Sequence, residues 1–206
     1  EVPLAGGQKT GWFYDHRMNR QRLQAYAPGK KVLDVFSYVG GWGIQAACAG
    51  ASQVTCVDAS SAAVDAVHHN AKLNGLENVD TIEGDAFDAL KALADEKEKF
   101  DIVVLDPPAL IPRRRDQKAG EQAYARLNQL GLRLLERDGL LVSASCSMHL
   151  SQEKLIDIIR SSGRKIDRFV QLLEQGHQAP DHPIVPGIPE TDYIKSCFVR
   201  SLTGFL

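Results

Sequence analysis

The stretch GLLVSASCSMH, residues 139–149, places a cysteine between two hydroxyls, Ser145-Cys146-Ser147. Cysteine is intrinsically a strong nucleophile, so a thiol at the end of a strand is a candidate for covalent chemistry. Core packing, the common fate of an unpaired cysteine, is the alternative for Cys146 and the better reading for Cys48, Cys56 and Cys197, which lie within apolar segments. A second constellation is Asp106-Pro107-Pro108. Two successive prolines make a stiff loop without N–H donors, which can hold a carbonyl and a carboxylate toward a planar ring. Three further acids, Asp34, Asp58 and Asp85, recur at the ends of apolar runs.

The elements that must position these residues alternate along the chain. DHRMNRQRLQAYA reads as a helix closed by Pro28-Gly29. KVLDVF (31–36) is a strand, SYVGGWG a glycine-rich turn and IQAACAG a short helix. QVTCVD (53–58) precedes a helix with serine caps that Gly75 closes, and NVDTIEG (78–84) precedes a helix capped by Asp85. FDIVVLD (100–106) is the fourth strand. EQAYARLNQLGLRLLERDG reads as a helix ending at Gly139, followed by the strand GLLVSASCS and the helix SQEKLIDIIRSSG. KIDRFVQLLEQG and DYIKSCFVRSL are strands joined by a proline-rich loop, without a helix between them.

Strands separated by helical crossovers predict a mostly parallel sheet covered on both faces, and the last two strands predict an antiparallel hairpin at one edge. This α/β pattern of seven strands resembles the Rossmann-like class I methyltransferase fold. Residues 1–28 are expected to form a lead segment and helix covering a cofactor, with the main domain at 29–206.

In such sheets ligands sit beyond the carboxyl ends of the strands. The first strand delivers Asp34, Phe36 and the turn Ser37, Tyr38, Gly40, Gly41; its G-G-x-G spacing departs from the G-x-G-x-x-G of pyrophosphate sites. The second delivers Asp58, Ala59 and Ser60, and the Asp58 carboxylate suits a pair of ribose hydroxyls. The third delivers Asp85, Ala86 and Phe87, an acceptor for an exocyclic amine beside an apolar wall. Each acid alone reads as a helix cap; together they read as an adenosine site. The negative Asp34 suits a sulfonium and an ammonium better than a pyrophosphate, which favours S-adenosylmethionine (SAM) over NAD.

Asp106-Pro107-Pro108 alone suits methylation of an exocyclic amine. With Cys146 beside it another chemistry opens: thiolate addition at C6 of cytosine makes an enamine whose C5 attacks a methyl sulfonium.

With 206 residues, 44% hydrophobic and 24% charged, the chain suits one well-buried core. No stretch approaches the roughly 18 apolar residues of a membrane span, and no export signal is visible, so a cytoplasmic location is expected. The cysteines lack metal-ligand spacing, and His68-His69 reads as solvated helix surface; no metal is expected. Net charge is −2, yet residues 1–31 and 111–137 each carry +4, against −10 elsewhere. Two basic segments on an acidic body fit a phosphate-bearing partner, with Arg113, Arg114 and Arg115 the densest cluster; solvated helix faces and a loop are the alternative. The chain opens on Glu1 rather than Met, so it is expected to belong to a longer protein.

GQKTGWFYDHRMNR, VLDVFSYVGGWGIQAACAGA, CVDASSAAVDAVHHNAKLNG, VVLDPPAL, SASCS and HQAPDHPIVPGIPETDYIKSCFVR resemble the bacterial 23S ribosomal RNA cytosine-5 methyltransferases of the large-subunit I type, over almost the whole chain. The resemblance implies a SAM-dependent enzyme on ribosomal RNA, with Cys146 as nucleophile, Asp106 orienting or protonating the base and Pro107-Pro108 facing it. It further implies that Gln8, Lys9, Thr10, Gly11, Phe13, Asp15 and Arg17 fold over the cofactor, Thr10 and Arg17 near its methionine end. Family members usually carry a PUA domain and a β-rich linker domain ahead of this unit. Ala109-Leu110 stand where a polar residue and a Phe often follow the prolines. A sister branch sharing the lead motif methylates guanine with asparagine at the Cys146 position, so the cysteine favours cytosine. The alternatives are a guanine or adenine methyltransferase with a passive Cys146, and a SAM-binding, RNA-associated module without catalysis.

Overall fold

The computed structural model describes residues 1–2 and 11–203. After a 3-10 turn at Tyr14–His16 the elements are α1 (Arg17–Gln24), β1 (Lys31–Val35), α2 (Gly43–Cys48), β2 (Gln53–Asp58), α3 (Ser61–Leu73), β3 (Val79–Glu83), α4 (Ala86–Asp95), β4 (Phe100–Leu105), α5 (Gln117–Leu134), β5 (Leu135–Ser145), α6 (Gln152–Arg164), β6 (Arg168–Gly176) and β7 (Lys195–Thr203). The sheet order is β3-β2-β1-β4-β5-β7-β6. The first five strands are parallel, and β7 runs antiparallel between β5 and β6.

The central strands are apolar in unbroken runs because both of their faces are buried. Their side chains alternate between two cores. Leu33, Val35, Val103, Leu105 and Leu141 meet residues of α4, α5 and α6 on one face. Val32, Ile102, Val104, Leu140 and Val142 meet α1, α2 and α3 on the other. Each helix that follows a strand therefore starts at the same edge of the sheet. Ser60, Asp85 and Ser151 cap α3, α4 and α6 through their side-chain oxygens, satisfying first-turn N–H groups.

Two expectations are corrected. The helix predicted to run to Gly139 ends at Leu134, and Glu136-Arg137-Asp138-Gly139 belong to β5. The run LRLLERD suits either state by pattern, but Leu135 pairs with Phe100 and Asp138 takes a left-handed φ of 61°, absorbing an irregularity in the pairing before Leu140. Cys48 is exposed rather than packed, whereas Cys56 and Cys197 are buried. His68 and His69 lie on exposed helix surface, in contact with Thr81 and Glu1. Among the described residues no helix is long and apolar enough to cross a membrane.

Candidate active site

A cavity of about 480 Å³ opens where β1, β2, β3, β4 and β5 end and is walled on its outer side by the segment before α1 and the one before β7. The chain must leave each parallel strand at this edge, so five separate turns converge on one space.

The turn after β1 is conformationally strained. Phe36 and Tyr38 adopt φ of 64° and 50°, a region that costs energy for residues with a side chain, and both line the cavity. Neighbouring acids hold the turn. Asp58 accepts from the Tyr38 N–H at 2.8 Å through Oδ2 and from the Ser60 N–H at 3.0 Å through Oδ1. Each oxygen keeps a lone pair for a ligand hydroxyl. Asp85 accepts from Phe87 and Asp88 N–H groups through Oδ1, so it both caps α4 and lines the cavity.

Asp34 behaves differently from its expectation. It is wholly buried and does not line the cavity; its Oδ2 accepts from the Gly43 N–H at 2.8 Å, at the start of α2. Gly43 is glycine because a Cβ there would stand 2.6 Å from the Cys56 sulfur and 3.2 Å from Asp34 Oδ2. Burial pushes the Asp34 carboxyl up to about 7, against the Gly43 hydrogen bond, with Asp106 and Asp58 adding repulsion. Its role is to support the turn from beneath.

Asp106 stands at the centre of the polar wall. Its Oδ2 accepts from Trp42 Nε1 at 2.9 Å, and His16 Nε2 lies 3.4 Å from Oδ1. Asn19 donates its amide to His177 O and to His16 Nδ1, both at 3.1 Å, while its oxygen accepts from Arg22. That arrangement makes His16 Nδ1 the acceptor and leaves the ring proton on Nε2, facing Asp106. Arg20 is also buried and lines the cavity, donating to Phe13 O at 2.8 Å and stacking 4.4 Å from the Trp12 ring centroid. Burial pulls the Arg20 guanidinium below its ordinary value, opposed by Asp106. Its Nε is a buried donor with no hydrogen-bond partner among the described residues.

Cys146 follows the last residue of β5 and reaches the cavity half-buried. Its flanks are rigid. The Tyr124 hydroxyl is within 2.8 Å of Ser145 Oγ and 3.0 Å of Ser147 Oγ, and Ser147 Oγ accepts from the Ile111 N–H. Burial raises the Tyr124 phenol, and the pull of the two serines opposes it only in part. Opposite, the Tyr193 hydroxyl donates to Asp15 Oδ2 at 3.1 Å, and its pKa is pushed up to about 12, by burial first and by Asp15 second. This contact, with Ala179 N–H on Asp15 O, ties the loop before β7 to the segment before α1.

Most of the sequence-selected residues meet here: Phe13, Asp15, Phe36, Ser37, Tyr38, Gly41, Asp58, Ala59, Asp85, Ala86, Asp106, Pro107, Pro108 and Cys146 line the cavity. Several do not. Arg17 is half-exposed and pairs with Asp181 at 3.5 Å; Arg20, one helical turn on, is the cation that reaches inward because α1 buries that face. Gly40, Ser60 and Phe87 are not among the lining residues, and Arg113, Arg114 and Arg115 are exposed in the loop beyond Pro108. Gln8, Lys9 and Thr10 fall outside the described residues. The sequence puts Trp42 in the ligand-side turn without assigning it a role and gives no sign of His16, Arg20, Tyr193 and Ile194; all five also line the cavity. Trp42 had a signal, an aromatic donor inside a glycine turn.

Comparison with known proteins follows the same outline. The chain is 39% identical over 202 residues to "Ribosomal RNA large subunit methyltransferase I" of Aeromonas salmonicida (strain A449), covering 97% of this chain and 51% of that protein. It is 36% identical over 201 residues to the protein of the same name from Klebsiella pneumoniae (strain 342), covering 97% and 50%. The chain thus spans about half the length of these curated relatives. The crystal structure of SMU.776 complexed with SAH superposes with a TM-score of 0.85 at 25% identity, over 97% of this chain and 52% of that one. Trm5b from Pyrococcus abyssi shares the fold, with a TM-score of 0.66 at 18% identity over 91% of this chain and 49% of its own. The seven-stranded sheet is that of the class I methyltransferases. The family model "Conserved hypothetical protein 95" matches residues 20–159, and the chain belongs to that family.

Proposed function

We propose that this chain is the catalytic unit of a SAM-dependent methyltransferase that forms 5-methylcytosine in ribosomal RNA of the large subunit. One observation carries the reading: a single cavity brings an adenosine-type acceptor pair, Asp58 and Asp85, into the same space as Asp106-Pro107-Pro108 and Cys146. The names of the relatives and the SAH complex of SMU.776 support the cofactor and the RNA substrate.

The residues present fit that cofactor. Asp58 offers two oriented carboxylate oxygens to ribose hydroxyls, and Asp85 with Ala86 offers an acceptor and an apolar wall to the adenine. The buried Nε of Arg20, without a partner among the described residues, is a donor suited to the methionine carboxylate. When bound, SAM supplies an electrophilic methyl group.

The chain's own residues then act on the base. Cys146, as thiolate, adds to C6 of cytosine, which places electron density on C5; after C5 is alkylated and loses its proton to a base, the thiolate leaves. Asp106, held by Trp42, accepts from the exocyclic amine and fixes the ring. Pro107 and Pro108 form a stiff edge beside it. A stacked base hides C6, so the target is single-stranded or flipped out. Residues 11–28, through Phe13, Asp15 and Arg20, cover the cofactor, and the exposed Arg113, Arg114 and Arg115 contact phosphates.

The test is transfer of labelled methyl from SAM to unmodified large-subunit ribosomal RNA, with analysis of the modified base. The expected product is 5-methylcytosine, lost in Cys146→Ala. Undiminished transfer by Cys146→Ala, or label on guanine or adenine, would overturn the thiolate mechanism. SAM binding without any transfer would support a non-catalytic module.

A further inference from the structure

Cys146 has a charged neighbour that neither its sequence position nor the cavity lining reveals. Lys195 opens β7 and pairs in register with Ser145, the residue before Cys146. The residue is 6% exposed, and its Nζ donates to the backbone oxygen of Ser147, the residue after Cys146, at 2.7 Å. An ammonium is rarely buried without an anion, and this one keeps two further donors beyond the Ser147 bond. Among the described residues no carboxylate lies within 4 Å of it.

We propose that Lys195 is the positioning cation that holds the Cys146 sulfur as a thiolate, its ammonium anchored across the strand pair on the carbonyl that follows the cysteine. The cysteine's proton leaves to solvent, and Lys195 keeps its own. Papain-like sites obtain the same effect from an adjacent cation, so a low-dielectric pocket with one fixed positive charge is sufficient in principle.

The surrounding groups bear on the charge balance. From β7 and its approach come Lys195, the exposed Asp192 and Tyr193; from α5 comes the Tyr124 hydroxyl; from the segment before α1 comes Asp15, through Tyr193; from the β4 end comes Asp106. Burial pulls the Lys195 ammonium below its ordinary value, while Asp192 and the Cys146 sulfur hold it up. Both phenols are pushed upward and stay neutral beside the sulfur. A buried ammonium that a thiolate stabilises must stabilise that thiolate in return.

This inference rests on the thiolate reading of the function, and its test separates the two. The rate of iodoacetamide alkylation of Cys146 is followed from pH 5 to 10 by mass spectrometry of the peptide that carries it, with the exposed Cys48 as internal reference. Lys195→Met removes the charge, Lys195→Gln does the same with a polar end in case the first variant does not fold, and Lys195→Arg keeps it. Charge loss is expected to raise the midpoint for Cys146 by about one pH unit or more, slowing alkylation about tenfold at pH below it, with Cys48 unmoved. Lys195→Arg should stay nearer to the wild-type profile. Coincident profiles for wild type and the charge-loss variants, or an equal displacement in Lys195→Arg, would overturn the role of the charge. Alkylation needs no methyl transfer, so an unmoved profile with an inactive Cys146→Ala removes this inference alone. A displaced profile with a fully active Cys146→Ala removes the catalytic reading alone.

Discussion

The indole Nε1 of Trp42 donates to Asp106 Oδ2 at 2.9 Å, joining the turn after β1 to the loop after β4. Because the turn is hydrogen-bonded to Asp58, the proposed ribose acceptor, and the loop after β4 shares the cavity with Cys146, this bond couples the two halves of the proposed site. Trp42→Phe keeps the packing and removes the donor. Methyl transfer should fall about tenfold through loss of orientation, while SAM affinity changes little, since Trp42 holds the carboxylate rather than the nucleoside. Calorimetry with SAM beside a single-turnover assay checks this, and an equal loss in both would show that Trp42 serves the cofactor instead.

The Tyr124 hydroxyl bridges Ser145 and Ser147 inside the core. In Tyr124→Phe those serines lose a shared partner at a site without water access, at a cost of about 1–2 kcal/mol in unfolding free energy. The variant should also react more slowly, because Tyr124 fixes both residues that flank Cys146. Urea denaturation and methyl transfer are the measurements; a stability loss with unchanged transfer would make the bridge purely structural.

How much of this was legible in sequence depends on range. Strands β1, β2 and β4 were read from apolar runs to within a residue, because burial on both faces leaves little room for polar positions. The α5–β5 junction was misplaced because LRLLERD carries an apolar pattern that either state satisfies, and only pairing with Phe100 decides it. Strand-end acids were found because α/β topology sends them to one edge. Asp34 was assigned to the ligand on the same logic, yet the close approach of Gly43 turns it beneath the turn. His16, Arg20, Tyr193 and Lys195 escape a sequence reading because their importance arises from contacts across 48 or more residues or from the buried face of a short helix.

Asp34 also gives the fold a pH signature. Its native carboxyl titrates at about 7, well above the value of about 3.9 for an unfolded chain. Between those values the native state holds a proton that the unfolded chain has released, so rising pH costs stability until the native group has ionised. Asp34→Asn removes that dependence and retains an acceptor for the Gly43 N–H. The stability advantage of the variant should grow from pH 4 through 7 and level off above, reaching on the order of 4 kcal/mol. Thermal unfolding of both proteins across pH 4–9 tests it; a constant difference at every pH would mean that Asp34 is ionised throughout.

Arg113, Arg114 and Arg115 follow Pro108 and remain exposed; among the described residues the first two have no carboxylate within 4 Å, and the third is 3.9 Å from Asp116. Guanidinium groups left in solvent beside a candidate base pocket are free to displace counterions from RNA. Replacing all three with Ala should weaken RNA binding about equally for cognate and unrelated single strands. The slope of log affinity against log salt should become shallower by about 2, near 0.7 for each lost phosphate contact. SAM binding should not change, since none of the three lines the cavity. Fluorescence anisotropy over a salt series measures the slope. An unaltered slope would mean that this loop makes no phosphate contact and that the RNA backbone is held elsewhere, with the basic lead segment as the remaining cluster.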